Sequence, residues 1–335
     1  MTDRFPGARS GLRTKPIDDE LLDRVLPGVE QPARYTGGEW NSVRKDWEST
    51  AIHFALVYPE IYELGMSNLG LAILYDVLNG QPDVAAERVF APAMDMEAAM
   101  RAAGLPLFSL ESRRPLTAFD IVGFSLAYEL NYSNVLNMLD LGGIPILASE
   151  RRRSDPLVVG GGSMTYNAEP MTDFFDLFVV GEGEEVVLEL LDLYRQAFGE
   201  GDGTRQEFLW NAAHIPGVFV PSLYRVSYRE DGTVGEIKPA AEGIPSSIKR
   251  RIVPVWPPPP ARLVVPYIEI VHDRAGIEIQ RGCSHGCRFC HAGIVYRPLR
   301  ERPIDEVLAA VAALLRNTGH EEVSLLALCS TDYHD

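Results

Sequence analysis

Between residues 49 and 200 the chain repeats one pattern: an apolar run of strand length, a turn of small residues, then a helical stretch. The runs "AIHFALVY" (51–58), "FDIVGFSL" (119–126), "PLVVGGG" (156–162) and "DLFVV" (176–180) are almost continuously apolar rather than alternating. A strand that is apolar on both sides must be covered on both faces, which is the condition of a parallel sheet. Parallel neighbours need crossover helices, and these wind right-handed. The helical stretches fit that role. Residues 67–79 read as a helix with Ser67 as N-cap and Gly80 past its end, 95–104 end on Gly104, and 132–143 end on two glycines. "GEGEE" (181–185) reads as the start of a helix over 186–198, its acids facing the positive end of the helix dipole. The expected fold is α/β, a doubly wound parallel sheet of the Rossmann or flavodoxin-like kind.

The flanks differ in character. Residues 1–48 are polar and rich in Pro, Gly and Arg, and read as an N-terminal arm with a short helix at 17–25. Residues 201–250 read as a small β insert, because "YRVSYREDGTVGEIKP" (224–239) places two alternating strands around Asp231-Gly232. A Pro-rich linker, 251–275, follows; its four consecutive prolines favour extended polyproline II. From 276 to 335 the first pattern restarts: strand 276–280, a loop, a helix opened by Pro303 and closed by Gly319, and strand 322–329. That makes one βαβ unit.

Composition narrows the function classes. With 46% hydrophobic and 23% charged residues, the 335-residue chain has the make-up of an ordinary globular protein. Nothing approaches the roughly 18 apolar residues of a membrane span, and the N-terminus lacks the apolar core of a secretory signal. No membrane partner and a cytoplasmic location are the expectation. The net charge of −16 argues against broad binding to a phosphate backbone. Two arginine groups, 151–153 and Arg297, Arg300 and Arg302, read as solvated loops.

Three of the four cysteines fall within "RGCSHGCRFC" (281–290). In a reducing compartment, clustered thiols point to metal rather than to disulfides. Thiolates select iron–sulfur clusters or zinc. The spacing Cys283-x3-Cys287-x2-Cys290 follows a strand and sits on a loop carrying Gly282, Gly286 and Gly293, residues that permit sharp turns. Three thiolates on a 4Fe–4S cube leave one iron open to a small molecule. The alternative is a structural zinc site completed by His285, His291 or Cys329. Such sites usually pair two separated knuckles, and only one is present.

This cysteine spacing, with Phe289 before the last cysteine, resembles the signature of the radical S-adenosylmethionine (SAM) superfamily. Residues 278–307 are similar to the radical SAM domain of a bacterial family with an N-terminal cobalamin-binding-type domain, and 56–79, 119–141 and 158–185 are similar to that N-terminal domain. The resemblance implies that Cys283, Cys287 and Cys290 hold a 4Fe–4S cluster and that SAM chelates the open iron. One electron, from a reductant such as flavodoxin or ferredoxin, would then release a 5′-deoxyadenosyl radical to act on a substrate the sequence does not name. Phe289 would lie beside the adenine, and Ser330 and Asp332 would accept the SAM amine. Cys329 reads as a small buried residue at a strand end, with no chemical role. The 276–335 stretch would open a radical SAM (β/α) barrel whose remaining segments are absent, so a non-catalytic fragment or cofactor-binding scaffold of a longer or split enzyme is a second reading.

Cobalamin stays open as a further cofactor. The loop after the first strand, 59–70, lacks the histidine that often reaches cobalt in such domains, and His53 reads as a core residue. Ser125, Gly161 and Gly162 lie at carboxyl ends of strands, where doubly wound sheets bind ligands. With cobalamin, radical methylation follows; without it, hydrogen abstraction from RNA, protein or another substrate.

Overall fold

The computed structural model describes residues 15–199 and 203–334. In chain order the main elements are α1 (Asp19–Val25), β1 (Ile52–Tyr58), α2 (Tyr62–Met66), α3 (Leu69–Asn79), β2 (Val84–Phe90), α4 (Met94–Ala103), β3 (Ile121–Ser125), α5 (Tyr132–Leu141), β4 (Leu157–Gly161), β5 (Leu177–Val179), α6 (Val186–Tyr194), α7 (Arg205–Ala212) and β6 (Val218–Phe219). A hairpin of β7 (Tyr224–Tyr228) and β8 (Val234–Pro239) follows, turning at Gly232 with φ +81°. The C-terminal unit contains β9 (Ala275–Glu278), β10 (Gln280–Arg281), α8 (Ala292–Val295), β11 (Arg300–Glu301), α9 (Ile304–Thr318) and β12 (Val323–Leu326).

The six-stranded sheet has the order β2-β1-β3-β4-β5-β6, parallel except for β6. Along β1, Ile52, Phe54, Leu56 and Tyr58 enter one core with α3, α6 and α7. Ala55 and Val57 enter the other, with α1, α4 and α5. Both faces are therefore covered, as the continuous apolar strands require. Strand order reverses between β1 and β3, the topological switch point at which such sheets leave a crevice beyond their carboxyl ends. Within 201–250, α7 and β6 pack on this domain ahead of the hairpin.

Several local expectations need correction. Asn68, not Ser67, caps α3: its side chain accepts from Leu71 N at 2.9 Å. Ser67 instead donates to Glu63 O at the end of α2. β2 has no counterpart in the sequence reading, because Glu87 and Arg88 interrupt its apolar run. Both are buried and paired, Arg88 with Glu39 and Glu111 and Glu87 with Ser109 and Ser112. Arg151 and Arg302 are also buried rather than solvated; Arg151 meets Asp176 at 3.0 Å.

β9 and β12 pair in parallel from Val323↔Ala275 to Leu326↔Glu278, with α9 as the crossover over a core of Ala275, Ile277, Ile279, Val307, Ala310 and Leu314. Among the described residues no helix is long and apolar enough to cross a membrane.

Candidate functional site

The cysteine loop, 282–299, is a closed excursion with a defined neck. β10 and β11 pair antiparallel beneath it, Gln280 against Glu301 and Arg281 against Arg300. Gly282 makes the turn out of the neck at φ +88°, and a Cβ there would lie 2.4 Å from Pro298 O and 2.6 Å from Tyr296 O. Of the loop's glycines, this one is demanded by its geometry. Gly286 faces open space, and Gly293 lies against His285 O and Cys290 Sγ.

All four cysteines are free thiols. Among the described residues, the group whose ligand atoms lie within 4.8 Å of one another is His285, Cys329 and Asp332, not the three loop cysteines. One zinc ion needs its ligands converged on a point, whereas a cuboidal cluster takes each thiolate at its own corner. Phe289 is 92% exposed and stands apart from the cavity described below. Asp332 binds His285 Nε2 at 2.7 Å, which ties the turn after β12 to the cysteine loop. Ser330 sits in that same turn.

Cys329 is partly exposed rather than buried, because β12 ends at Leu326 and the chain has already turned outward. Its Sγ lies 3.3 Å from Thr331 Oγ1. It is not among the three cysteines at cluster spacing, so Cys329→Ala should retain the brown chromophore and full iron content after reconstitution. Loss of iron in that variant would make Cys329 a ligand.

The residues expected to hold a second cofactor line a single cavity of about 600 Å³ at the switch point. Ser125, Gly161, Gly162 and Ser163 form its rim, and Phe54, Leu56, Ile121, Val159 and Leu190 form an apolar slot running down the sheet between α3 and α6. The far wall is the C-terminal unit: Glu278, Gln280, Arg281, Gly282 and Leu326 to Leu328. The cavity thus reaches the residue before Cys283. The three glycines of "GGG" divide by role. A Cβ on Gly160 would strike Phe178, and one on Gly162 (φ +104°) would lie 2.6 Å from Leu126 O, so both serve close packing. Gly161 has nothing within 4 Å of that position and opens the cavity wall to a ligand. Among the described lining residues there is no histidine. His53 is held in the core, stacked on Trp47 and 3.2 Å from Asp120.

Charge joins the two halves. Glu182 takes two hydrogen bonds from Arg300, one of them at 2.9 Å, and Val253 N at 2.6 Å. Arg281 meets Glu184 at 2.5 Å and Glu278 at 2.9 Å. The guanidiniums of Arg281 and Arg302 lie 5.0 and 4.9 Å from the Trp256 ring, with Arg300 at 5.9 Å. α6 starts directly after "GEGEE", with Glu185 at its N-cap position but no side-chain cap bond; Glu185 pairs with Arg251, while Glu182 and Glu184 grip the neck of the cysteine loop. Arg300, expected on a solvated loop, is part of that grip. Burial pushes the Glu182 carboxyl up, but the hydrogen bonds from Arg300 and Val253 and the charges of Arg281 and Arg300 more than offset it, leaving it below its ordinary value. Burial likewise opposes the Arg281 charge, and Glu278 and Glu184 outweigh it, so its pKa is raised. Sequence reasoning misses these pairs because Glu182 and Arg300 are 118 positions apart.

Residues 70–221 match the family model described as radical SAM proteins, N-terminal. An uncharacterized protein of Methanocaldococcus jannaschii, MJ0966, is 24% identical over 285 residues, covering 83% of this chain and 50% of that protein. The ribosomal protein uS12 methylthiotransferase RimO of Desulfotalea psychrophila is 37% identical over 62 residues, 18% of this chain and 14% of the enzyme. The structure of the radical SAM methyltransferase TsrM from Kitasatospora setae, with cobalamin and a [4Fe-4S] cluster bound, is 15% identical with a TM-score of 0.46, covering 83% of this chain and 49% of that one. The chain spans half the length or less of these relatives. Residues 70–221 are thus similar to the N-terminal region of radical SAM proteins, and a loop with the cysteine spacing follows at 283–290.

Proposed function

We propose that Cys283, Cys287 and Cys290 hold a 4Fe–4S cluster whose open iron binds SAM, and that the adjoining cavity takes cobalamin with the substrate between the two. The observation that carries this reading is the shared wall: a cavity at the sheet's switch point is bounded by Gly282, the neighbour of the first cluster cysteine. The apolar slot between α3 and α6 and the open face of Gly161 suit a bulky cofactor with an apolar tail. The absence of histidine among the described lining residues means that this chain's cavity would hold the cofactor without an imidazole on cobalt.

When bound, the cluster and SAM supply radical chemistry through reductive cleavage of the sulfonium, with electrons from a reductant of the flavodoxin or ferredoxin kind. The chain's own residues place the groups and keep water out. The β10–β11 neck fixes the loop, Glu182 and Glu184 hold that neck against the N-terminal domain, and Leu69, Leu74, Leu78 and Leu326 line the space between.

Anaerobic reconstitution with iron and sulfide should give about four irons per chain and 5′-deoxyadenosine on reduction with SAM. Cys283→Ala should lose the chromophore and at least about 90% of that product, since a cube held by two thiolates is not retained. Unchanged SAM cleavage in Cys283→Ala would overturn the assignment. Stoichiometric zinc with no absorbance near 400 nm would replace it with the zinc reading.

A further inference from the structure

β12 returns parallel to β9, and the chain beyond it closes a short turn, Ser330–Asp332, in which Asp332 N donates to Cys329 O at 3.2 Å. A turn of this kind brings the side chains of Cys329 and Asp332, three positions apart, to one side, the spacing that metal knuckles use. Tyr333 pins the turn by donating its hydroxyl to Arg302 O at 2.6 Å. His285 reaches it from the cysteine loop, and its Nε2 meets Asp332 at 2.7 Å. One ligand atom each from His285, Cys329 and Asp332 lies within 4.8 Å of the others. None of the three is sealed from solvent. The side chains of His285 and Asp332 are 52% and 28% exposed, and Cys329 is partly exposed.

The donor set selects its ion. A thiolate and an imidazole favour borderline ions of the zinc class over magnesium or calcium, which take oxygen. A coordinating thiol gives up its proton. Thiolate, carboxylate and neutral imidazole then carry two negative charges between them, which a divalent ion cancels. Zinc takes nitrogen and oxygen at about 2.0–2.2 Å and sulfur at about 2.3 Å, so tetrahedral neighbours stand about 3.4–3.6 Å apart. The contact between His285 and Asp332 has to open from 2.7 Å by less than about 1 Å to admit the ion. Three protein ligands leave a fourth position for water or a further ligand.

We propose that His285, Cys329 and Asp332 form a mononuclear site for a divalent ion of the zinc class, separate from the three cysteines at cluster spacing. The site goes beyond the cluster reading and does not depend on it. The ion ties the turn after β12 to the cysteine loop. Asp332 cannot hold an ion and accept a SAM amine at once, so the ion-bound chain leaves Ser330 alone of that pair in the role the resemblance implies.

The chain reconstituted anaerobically with iron and sulfide, then given zinc and desalted, should hold about four irons and about one zinc. Cys329→Ala should keep the irons and lose the zinc. A chain carrying Cys283→Ala, Cys287→Ala and Cys290→Ala cannot form the cluster, and cobalt(II) titration then reads the site alone. About one cobalt per chain should bind, with the charge-transfer band of a cobalt–thiolate bond. Adding Cys329→Ala should abolish that band. Adding His285→Ala or Asp332→Asn should raise the cobalt Kd at least about tenfold, since even residues that only support a ligand are worth about 10–100-fold in metal affinity. His291→Ala, beside Cys290 but outside the trio, should bind cobalt as its parent does. Absence of the band in the parent overturns the proposal before any site variant is made. Zinc retained by Cys329→Ala overturns it as well. Loss of iron together with zinc in Cys329→Ala makes Cys329 a cluster ligand and overturns it too. A wild-type chain that takes up no iron, with the band present in the triple variant, sinks the cluster assignment and leaves this site standing.

Discussion

Gly282→Ala is expected to leave a folded chain that takes up only a small fraction of its iron. The residue sits at φ +88°, where an L side chain is strained in any surroundings, at a cost of about 1–3 kcal/mol. The added methyl would also fall 2.4 Å from Pro298 O and 2.6 Å from Tyr296 O. Both obstacles are backbone, so no rotamer change relieves them. The neck must open, and the three thiolates lose their common frame. Gly286→Ala, within the same cysteine spacing, meets nothing within 4 Å and should bind iron as the wild type does. Iron and sulfide content after anaerobic reconstitution separates the two variants. Equal iron in both would mean that the neck has no part in forming the cluster site.

That contrast shows where the sequence was legible. The cysteine spacing and the strand-end positions of Ser125 and Gly161 are local patterns, and the structure places the latter two on one cavity rim. Spacing alone assigns all three loop glycines one role, because it does not report φ. β2 escaped notice because Glu87 and Arg88 look like surface residues until Glu39, Ser109 and Glu111 close around them. His285, Cys329 and Asp332 escaped as a trio for a related reason: only the parallel return of β12 to β9 sets the turn after β12 beside the cysteine loop. The strands are written in neighbouring residues, whereas the polar contacts of the site are written across the fold.

Severing the grip between the domains should have the largest effect on stability. In Arg281→Ala, Glu184 and Glu278 lose their shared cation, and Glu182 keeps Arg300 and the Val253 amide. Arg281 and Glu184 have side chains 11% and 9% exposed, so the stranded carboxylates cannot recover full hydration. Removing one partner of a buried pair costs about 3–5 kcal/mol, and the residual exposure here favours the lower figure. A loss of about 3 kcal/mol corresponds to roughly 5–10 °C in Tm. The pH dependence has a definite sign. Glu182 titrates below its ordinary value in the folded chain, so its contribution is complete above the unfolded carboxylate pKa and is lost as pH falls through the folded one. The wild type should therefore lose stability on acidification below about pH 4.5 more steeply than Glu182→Gln, which cannot titrate. Stability alone does not show what the grip is for, since replacing a buried pair with apolar residues is often neutral. Arg281→Met with Glu184→Leu should restore much of the Tm. The cluster loop in that double variant would still lack its charged tether, so a chelator should bleach its chromophore faster than the wild type's. A double variant with wild-type Tm and a wild-type bleaching rate would reduce the grip to packing. Faster bleaching at restored Tm would make Glu184 and Arg281 positioning residues, through which the N-terminal domain sets where the cluster stands.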